Sequence, residues 1–267
     1  MKNDSFGDRM KNYESRETDR HFLPFIPVYA RIDGRGFSKF TRGAIKPFDP
    51  IINDAMSAAA KMLVENTGAI IAYHQSDEIS LIWETIETGE EMFFNGKVQK
   101  LCSVIASLAT AAFIKSLLGS ERAEWVNRLP HFDARVIQLP NRTEATNMLL
   151  WREIDARKNA ISMAAHTQFS HKSLQGLSGQ DKLKKLAEKG IVWDEFPVAF
   201  RRGSFMRRVT REIAMDESTR LRIPEAKRPE PGFLIERSMI EVIDMPPFNE
   251  VVNRNAVIFD GADPVVS

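Results

Sequence analysis

Residues 69–83 read AIIAYHQSDEISLIW. Two apolar runs flank a short polar turn at Gln75, Ser76 and Asp77, so 69–73 and 79–83 are expected to pair as the two strands of a hairpin. On the N-terminal side, Pro50 opens a segment in which Ile51, Ile52, Ala55, Met56, Ala59, Met62 and Leu63 share one helical face, and Gly68 ends it. Further back, residues 26–33 form a strand with Val28, Ala30 and Ile32 on one side, followed by a glycine-bearing loop. On the C-terminal side, residues 98–118 form a long helix with Val98, Leu101, Cys102, Ile105, Leu108, Ala112 and Phe113 aligned, closed by Gly119. Residues 132–139 are a fourth strand.

The order β-α-β-β-α-β defines an α+β, ferredoxin-like antiparallel sheet with its helices on one face. A right-handed crossover makes strands one and two parallel and leaves strand three between them. The end of strand one and the hairpin turn then lie at the same sheet edge. Asp33 ends strand one and Asp77 lies in the turn, so two carboxylates 77 − 33 = 44 residues apart are expected to be neighbours. Beyond the fourth strand, residues 143–170 read as one or two helices and 181–189 as another, ended by Gly190. Residues 200–213 and 234–243 read as late strands. The expected organisation is a catalytic unit over 6–140, a helical and basic region over 141–224, and a Pro-rich tail over 225–267.

A chain of 267 residues, 43% hydrophobic and 27% charged, buries a real core and is neither collagen-like nor disordered. Its formal net charge is only +1, so a nucleic-acid partner requires clustered positive charge. The densest cluster is Arg201, Arg202, Arg207, Arg208 and Arg211, which fits either phosphate contact or a solvated strand face. The single cysteine, Cys102, excludes an intramolecular disulfide and an all-Cys zinc site. The first twenty residues carry no apolar signal segment, and the apolar run 103–114 is too short for a bilayer, so a cytoplasmic protein without a membrane partner is expected.

Mg²⁺ takes hard oxygen ligands, typically one or two carboxylates with phosphate oxygens and water. Asp33 and Asp77 at one edge match that need, and Gly34 and Gly36 let the backbone approach a phosphate. Each segment alone is weak: an Asp after a strand usually caps a turn, and Asp-Gly is a common turn dipeptide. Their shared edge is what points to chemistry. Glu78 adjoins Asp77, faces the other side of an extended strand, and is read as a supporting group. Ser76 either donates to a phosphate or caps the turn.

The segment RIDGRGFSKF (31–40) resembles the first motif of the tRNA-His guanylyltransferase family, and AYHQSDE (72–78) its second. FDARV (132–136), WREID (151–155) and FRRGS (200–204) are similar to later family segments in the same order. The resemblance implies a palm-type catalytic domain, a mainly helical C-terminal part, and an enzyme that adds nucleotides in the 3′–5′ direction to tRNA after activating its 5′-phosphate with ATP, GTP being the preferred addition. It implies two Mg²⁺ ions held by Asp33, Asp77 and the Gly34 carbonyl, with Glu78 in the catalytic set. It places Asp33, Gly34, Arg35, Gly36, Phe37, Ser38, Lys46, Ser76 and Asp77 around the nucleotide, and Arg157, Asn159, Arg201 and Arg202 against RNA or triphosphate. A homo-oligomer, a tetramer, is the family expectation.

At 157–163 the chain reads RKNAISM where the family's tRNA-His enzymes carry His-x-Asn-Asn-Leu-Tyr-Asn. This departure favours the guanylyltransferase-like branch, whose members add templated nucleotides to tRNAs shortened at the 5′ end. The competing readings are a nucleotide cyclase or a 5′–3′ polymerase on the same palm, and a non-catalytic RNA-binding protein.

Overall fold

The computed structural model describes residues 5–85 and 91–266. An exposed helix α1 (Ser5–Thr18) precedes β1 (Val28–Gly34), the four-residue α2 (Phe37–Phe40) and α3 (Pro50–Thr67). The Asp49 side chain caps α3 by accepting from the Ile51 and Ile52 N–H groups, and Gly68, at φ 68°, ends it in the left-handed region. Then come β2 (Ile71–Gln75), β3 (Glu78–Trp83), α4 (Val98–Leu118) and β4 (Phe132–Gln138).

β3 pairs antiparallel with both β1 and β2. Strands β1 and β2 are therefore parallel with β3 between them, as the crossover rule requires. Across the six-stranded sheet the order is β4-β1-β3-β2-β5-β6. The last two strands, β5 (Ser204–Ala214) and β6 (Leu234–Val242), come from the C-terminal half and continue the same sheet, β5 pairing with β2. Residues 200–202, expected as strand, belong instead to a short helix α8 (Val198–Arg202), which Gly203 terminates before β5 begins.

Between β4 and α8 the chain forms α5 (Arg142–Gln168), α6 (His171–Leu174) and α7 (Gly179–Glu188). α9 (Glu217–Arg222) lies between β5 and β6, and α10 (Arg254–Phe259) closes the order. Alternate side chains divide the sheet into two faces. Ala30, Ile32, Ala72, Ile79 and Leu81 pack with α3 and α4, with Phe37, Phe40 and Phe113 in the same core. Tyr29, Ile71, Tyr73 and Ile82 pack with Ala145, Leu149 and Ala156 of α5 and with Val257 and Ile258 of α10. The two helices of the β-α-β-β-α-β unit thus share one face as expected, and the C-terminal half covers the other.

By length and composition α4 could cross a membrane, one helix of that kind among the described residues. Its Leu101, Ile105, Ala109, Phe113 and Leu117 are buried in the core.

Candidate active site

The edge where β1 ends and β2 turns into β3 gathers most of the acids singled out above. Asp33 is cross-strand partner to Glu78 on one side and to Asp133 on the other. Ser76 and Asp77 form the turn, with Ser76 in the left-handed region at φ 52°. The Gly34 N–H donates to the Asp77 carbonyl at 3.0 Å, which ties the residue after Asp33 directly to the turn. Gly34 is required by space: an added Cβ would stand 2.5 Å from Phe37 Cδ2 and 3.0 Å from Asp77 Cβ. The 44-residue separation is therefore closed by the fold.

Burial pushes the Asp77 carboxyl up from 3.8 to about 6, and the negative charge of Asp33 adds to that push. Hydrogen bonds from its own backbone and from the Ser76 side chain oppose it. Among the described residues neither Asp33 nor Asp77 belongs to an ion pair. The acids around them are matched: Glu78 with Arg152, Asp133 with Arg135, Asp49 with Arg122. Two mutually repelling carboxylates without a cation of their own are a donor set that fits a hard divalent ion. No group of three or more His, Cys, Asp or Glu is arranged for a metal among the described residues. A metal on this pair would complete its shell from the Gly34 carbonyl, phosphate oxygens and water.

Glu78 does not join the pair. Its Oε1 accepts from Arg152 Nε at 2.6 Å, Arg31 Nε lies 3.9 Å from Oε2, and the carboxylate is buried between strand and α5. Burial pushes its carboxyl up and the Arg152 contact pulls it down. Its charge is matched by Arg152, a contact that joins the hairpin to α5.

The loop after Asp33 divides its tasks. The Arg35 N–H donates to the His131 carbonyl at 3.0 Å, so that donor is occupied. The Phe37 side chain is a core residue, its ring centroid 5.1 Å from Phe40, 5.8 Å from Phe113 and 6.2 Å from Phe132. Only its backbone remains for a ligand, beside those of Gly36 and Ser38. Lys46 and Ser76 line a cleft of about 650 Å³ with Ile45, Phe48, Asn53 and Phe200. The Asp49 carboxylate shapes this cleft by accepting from the Ile45 N–H at 2.9 Å and from Arg122 at 2.6 Å.

The basic residues named from the sequence separate. Arg157 lines another cleft of about 950 Å³ with Lys158, Gln180 and Arg202. Asn159 is exposed on α5 outside the clefts described. Arg201 donates to the Phe196 carbonyl at 2.9 Å and to Asp194 at 2.6 Å. Arg202 donates to Glu153 at 3.4 Å and to the Met245 carbonyl at 3.1 Å. Arg207, Arg208 and Arg211 are likewise committed, to the Ala262 carbonyl, to Ser238 and to Glu241. The densest run of arginine in the sequence is thus largely self-neutralised. Sequence reasoning missed Arg152 and Asp133 as members of this edge. The segments 132–136 and 151–155 had stood out as motifs, but only the register and the Arg152–Glu78 contact give these two residues a place.

An unneutralised carboxylate pair thus sits at one edge of a sheet whose β-α-β-β-α-β helix pair shares one face. The family model for tRNAHis guanylyltransferase matches residues 7–140. A tRNA(His) guanylyltransferase of Schizosaccharomyces pombe is 30% identical over 210 residues, covering 73% of this chain and 77% of its own length. A bacterial tRNA(His) guanylyltransferase-like protein in complex with ATP superposes with a TM-score of 0.76 at 32% identity, covering 96% of this chain and 99% of that one. The same kind of protein in complex with GTP gives a TM-score of 0.71 at 32% identity, covering 92% and 94%. The chain belongs to the tRNAHis guanylyltransferase family, a family of nucleotidyltransferases.

Proposed function

We propose that this chain is a Mg²⁺-dependent nucleotidyltransferase that extends the 5′ end of tRNA in the 3′–5′ direction. The observation that carries the reading is the convergence of Asp33 and Asp77 without a neutralising cation. In the first step an oxygen of the tRNA 5′-phosphate attacks the α-phosphorus of ATP, and pyrophosphate leaves. In the second the 3′-hydroxyl of GTP attacks the activated 5′-phosphorus, and AMP leaves. Hydrolysis then removes pyrophosphate from the new end. Asp33, Asp77 and the Gly34 carbonyl would hold two Mg²⁺ ions, which supply activation of the attacking oxygen and neutralisation of the leaving phosphate.

The chain's own residues orient the reactants. The Gly34 N–H holds the Asp77 turn in place, and Ser76 hydrogen-bonds its carboxylate. Lys46 reaches the phosphates of a nucleotide whose base enters the cleft beside Ile45 and Phe48. Binding of both ATP and GTP by similar proteins supports this assignment. The RKNAISM segment favours templated repair of 5′-shortened tRNA over strict tRNA-His guanylylation, and a tetramer is the proposed assembly.

Purified protein with Mg²⁺, ATP, GTP and 5′-monophosphorylated tRNA is expected to yield adenylylated and then lengthened tRNA. A 5′-truncated substrate should be extended more efficiently than intact tRNA-His. Neither product forming from either substrate would remove the proposal.

A further inference from the structure

We propose that the cleft between α2 and residues 128–131 is a binding surface for the phosphate backbone of RNA, a proposal that rests on the tRNA reading above. The cleft measures about 1120 Å³ and is lined by Arg35, Lys39, Arg42, Arg128 and His131. It lies on the opposite side of α2 from the nucleotide cleft: Gly36 and Lys39 face one, Phe37 and Thr41 the other. A polyanion seated in it passes the same loop that carries Asp33.

Partnering separates this patch from the arginine run at 201–211. Among the described residues, the exposed side chains of Arg35, Lys39 and Arg42 make no ion pair and no side-chain hydrogen bond. The arginines from 201 to 211 all do. With a net charge of only +1, unspent cations gathered on one wall are the positive clustering that a nucleic-acid partner requires.

The wall is also built to hold them. Arg128 donates to the Phe40 carbonyl at 2.6 Å and the Arg42 carbonyl at 2.9 Å, while its guanidinium lies 3.8 Å from the Trp125 ring centroid. It thus staples the C-terminal end of α2. The Arg35 N–H bond to the His131 carbonyl ties the opposite wall. Exposed cations on an open wall match a run of phosphates better than one triphosphate, which is recognised in a more enclosed pocket.

Direct binding tests this with the Lys39→Ala/Arg42→Ala double variant, which spares the nucleotide loop. A Lys172→Ala/Lys184→Ala variant, with the same charge change on exposed helices, is the control. Binding of a 5′-monophosphorylated tRNA transcript is measured across a salt series, and ATP binding at fixed Mg²⁺. Every phosphate left without its cation should flatten the plot of log K against log salt by about 0.7–0.9, so the cleft variant should fall by about 1.5 in slope and about tenfold in tRNA affinity while ATP affinity stays within about twofold. Thermal melts should coincide with wild type, both side chains being exposed. A cleft variant with the control's slope and affinity overturns the proposal, even in an enzyme that transfers nucleotides normally. An equal drop in ATP binding also overturns it and makes the cleft a triphosphate site. Wild-type protein that binds no tRNA removes this proposal and the functional reading together.

Discussion

Asp77 shows how far a single side chain can couple stability to chemistry. Its folded pKa, about 6, lies above its ordinary 3.8, with burial the larger cause and Asp33 the next. Its protonated form therefore favours the folded state, and that contribution, complete below pH 3.8, is lost as pH rises through about 6. Chelated wild-type protein should lose stability over this interval, and Asp77→Asn should remove that step and be more stable at pH ~7.5 by on the order of 1–2 kcal/mol, read by urea unfolding with and without chelator. The same variant should lose nucleotide transfer altogether. At Gly34 the restriction is steric. Gly34→Ala drives a methyl into a Phe37 ring already wedged among Phe40, Phe113 and Phe132, and against Asp77. It should cost about 1–3 kcal/mol in stability and lower the transfer rate more than about tenfold by displacing the turn, whereas unchanged rates would mean that the turn's position is immaterial.

Elements differ in how openly the sequence declares them. The β1-to-β4 unit was readable because its strands and helices carry uninterrupted apolar periods with proline and glycine at the boundaries, and the shared edge of Asp33 and Asp77 followed from topology alone. Helix α5 was less readable although its buried positions run at helical spacing, because that stripe contains Thr146, Arg152 and Glu153 among its alanines and leucines. The two charged groups are buried because partners far away in sequence meet them. Arg152 reaches Glu78, and Glu153 accepts from the Phe248 N–H at 2.8 Å and from Arg202. The same distance effect hid the fate of Arg207, Arg208 and Arg211, whose acceptors include Ser238 and Glu241 of β6 and the Ala262 carbonyl. Removing one member of the Arg152–Glu78 pair strands a buried charge. Arg152→Ala should destabilise by about 3–5 kcal/mol, while Arg152→Met with Glu78→Gln should recover most of it, a comparison made by chemical denaturation. Additive losses would show that the pair does not couple α5 to the hairpin.

At the scale of the molecule, one sheet joins both halves of the chain. Its first four strands carry the carboxylates, β5 and β6 extend it, and α5 and α10 seal the face opposite α3 and α4. The two clefts lie on either side of α2, so the proposed nucleotide and RNA backbone would approach one edge from different directions. The proposed chemistry calls for divalent metal bound at that edge through Asp33 and Asp77. The decisive experiment is Mn²⁺ binding followed by electron paramagnetic resonance in the presence of ATP. Saturable binding is expected for wild type, weakened more than about tenfold by Asp33→Asn and by Asp77→Asn, with Glu78→Gln nearly unchanged. Mn²⁺ affinities equal to wild type in both aspartate variants would contradict it.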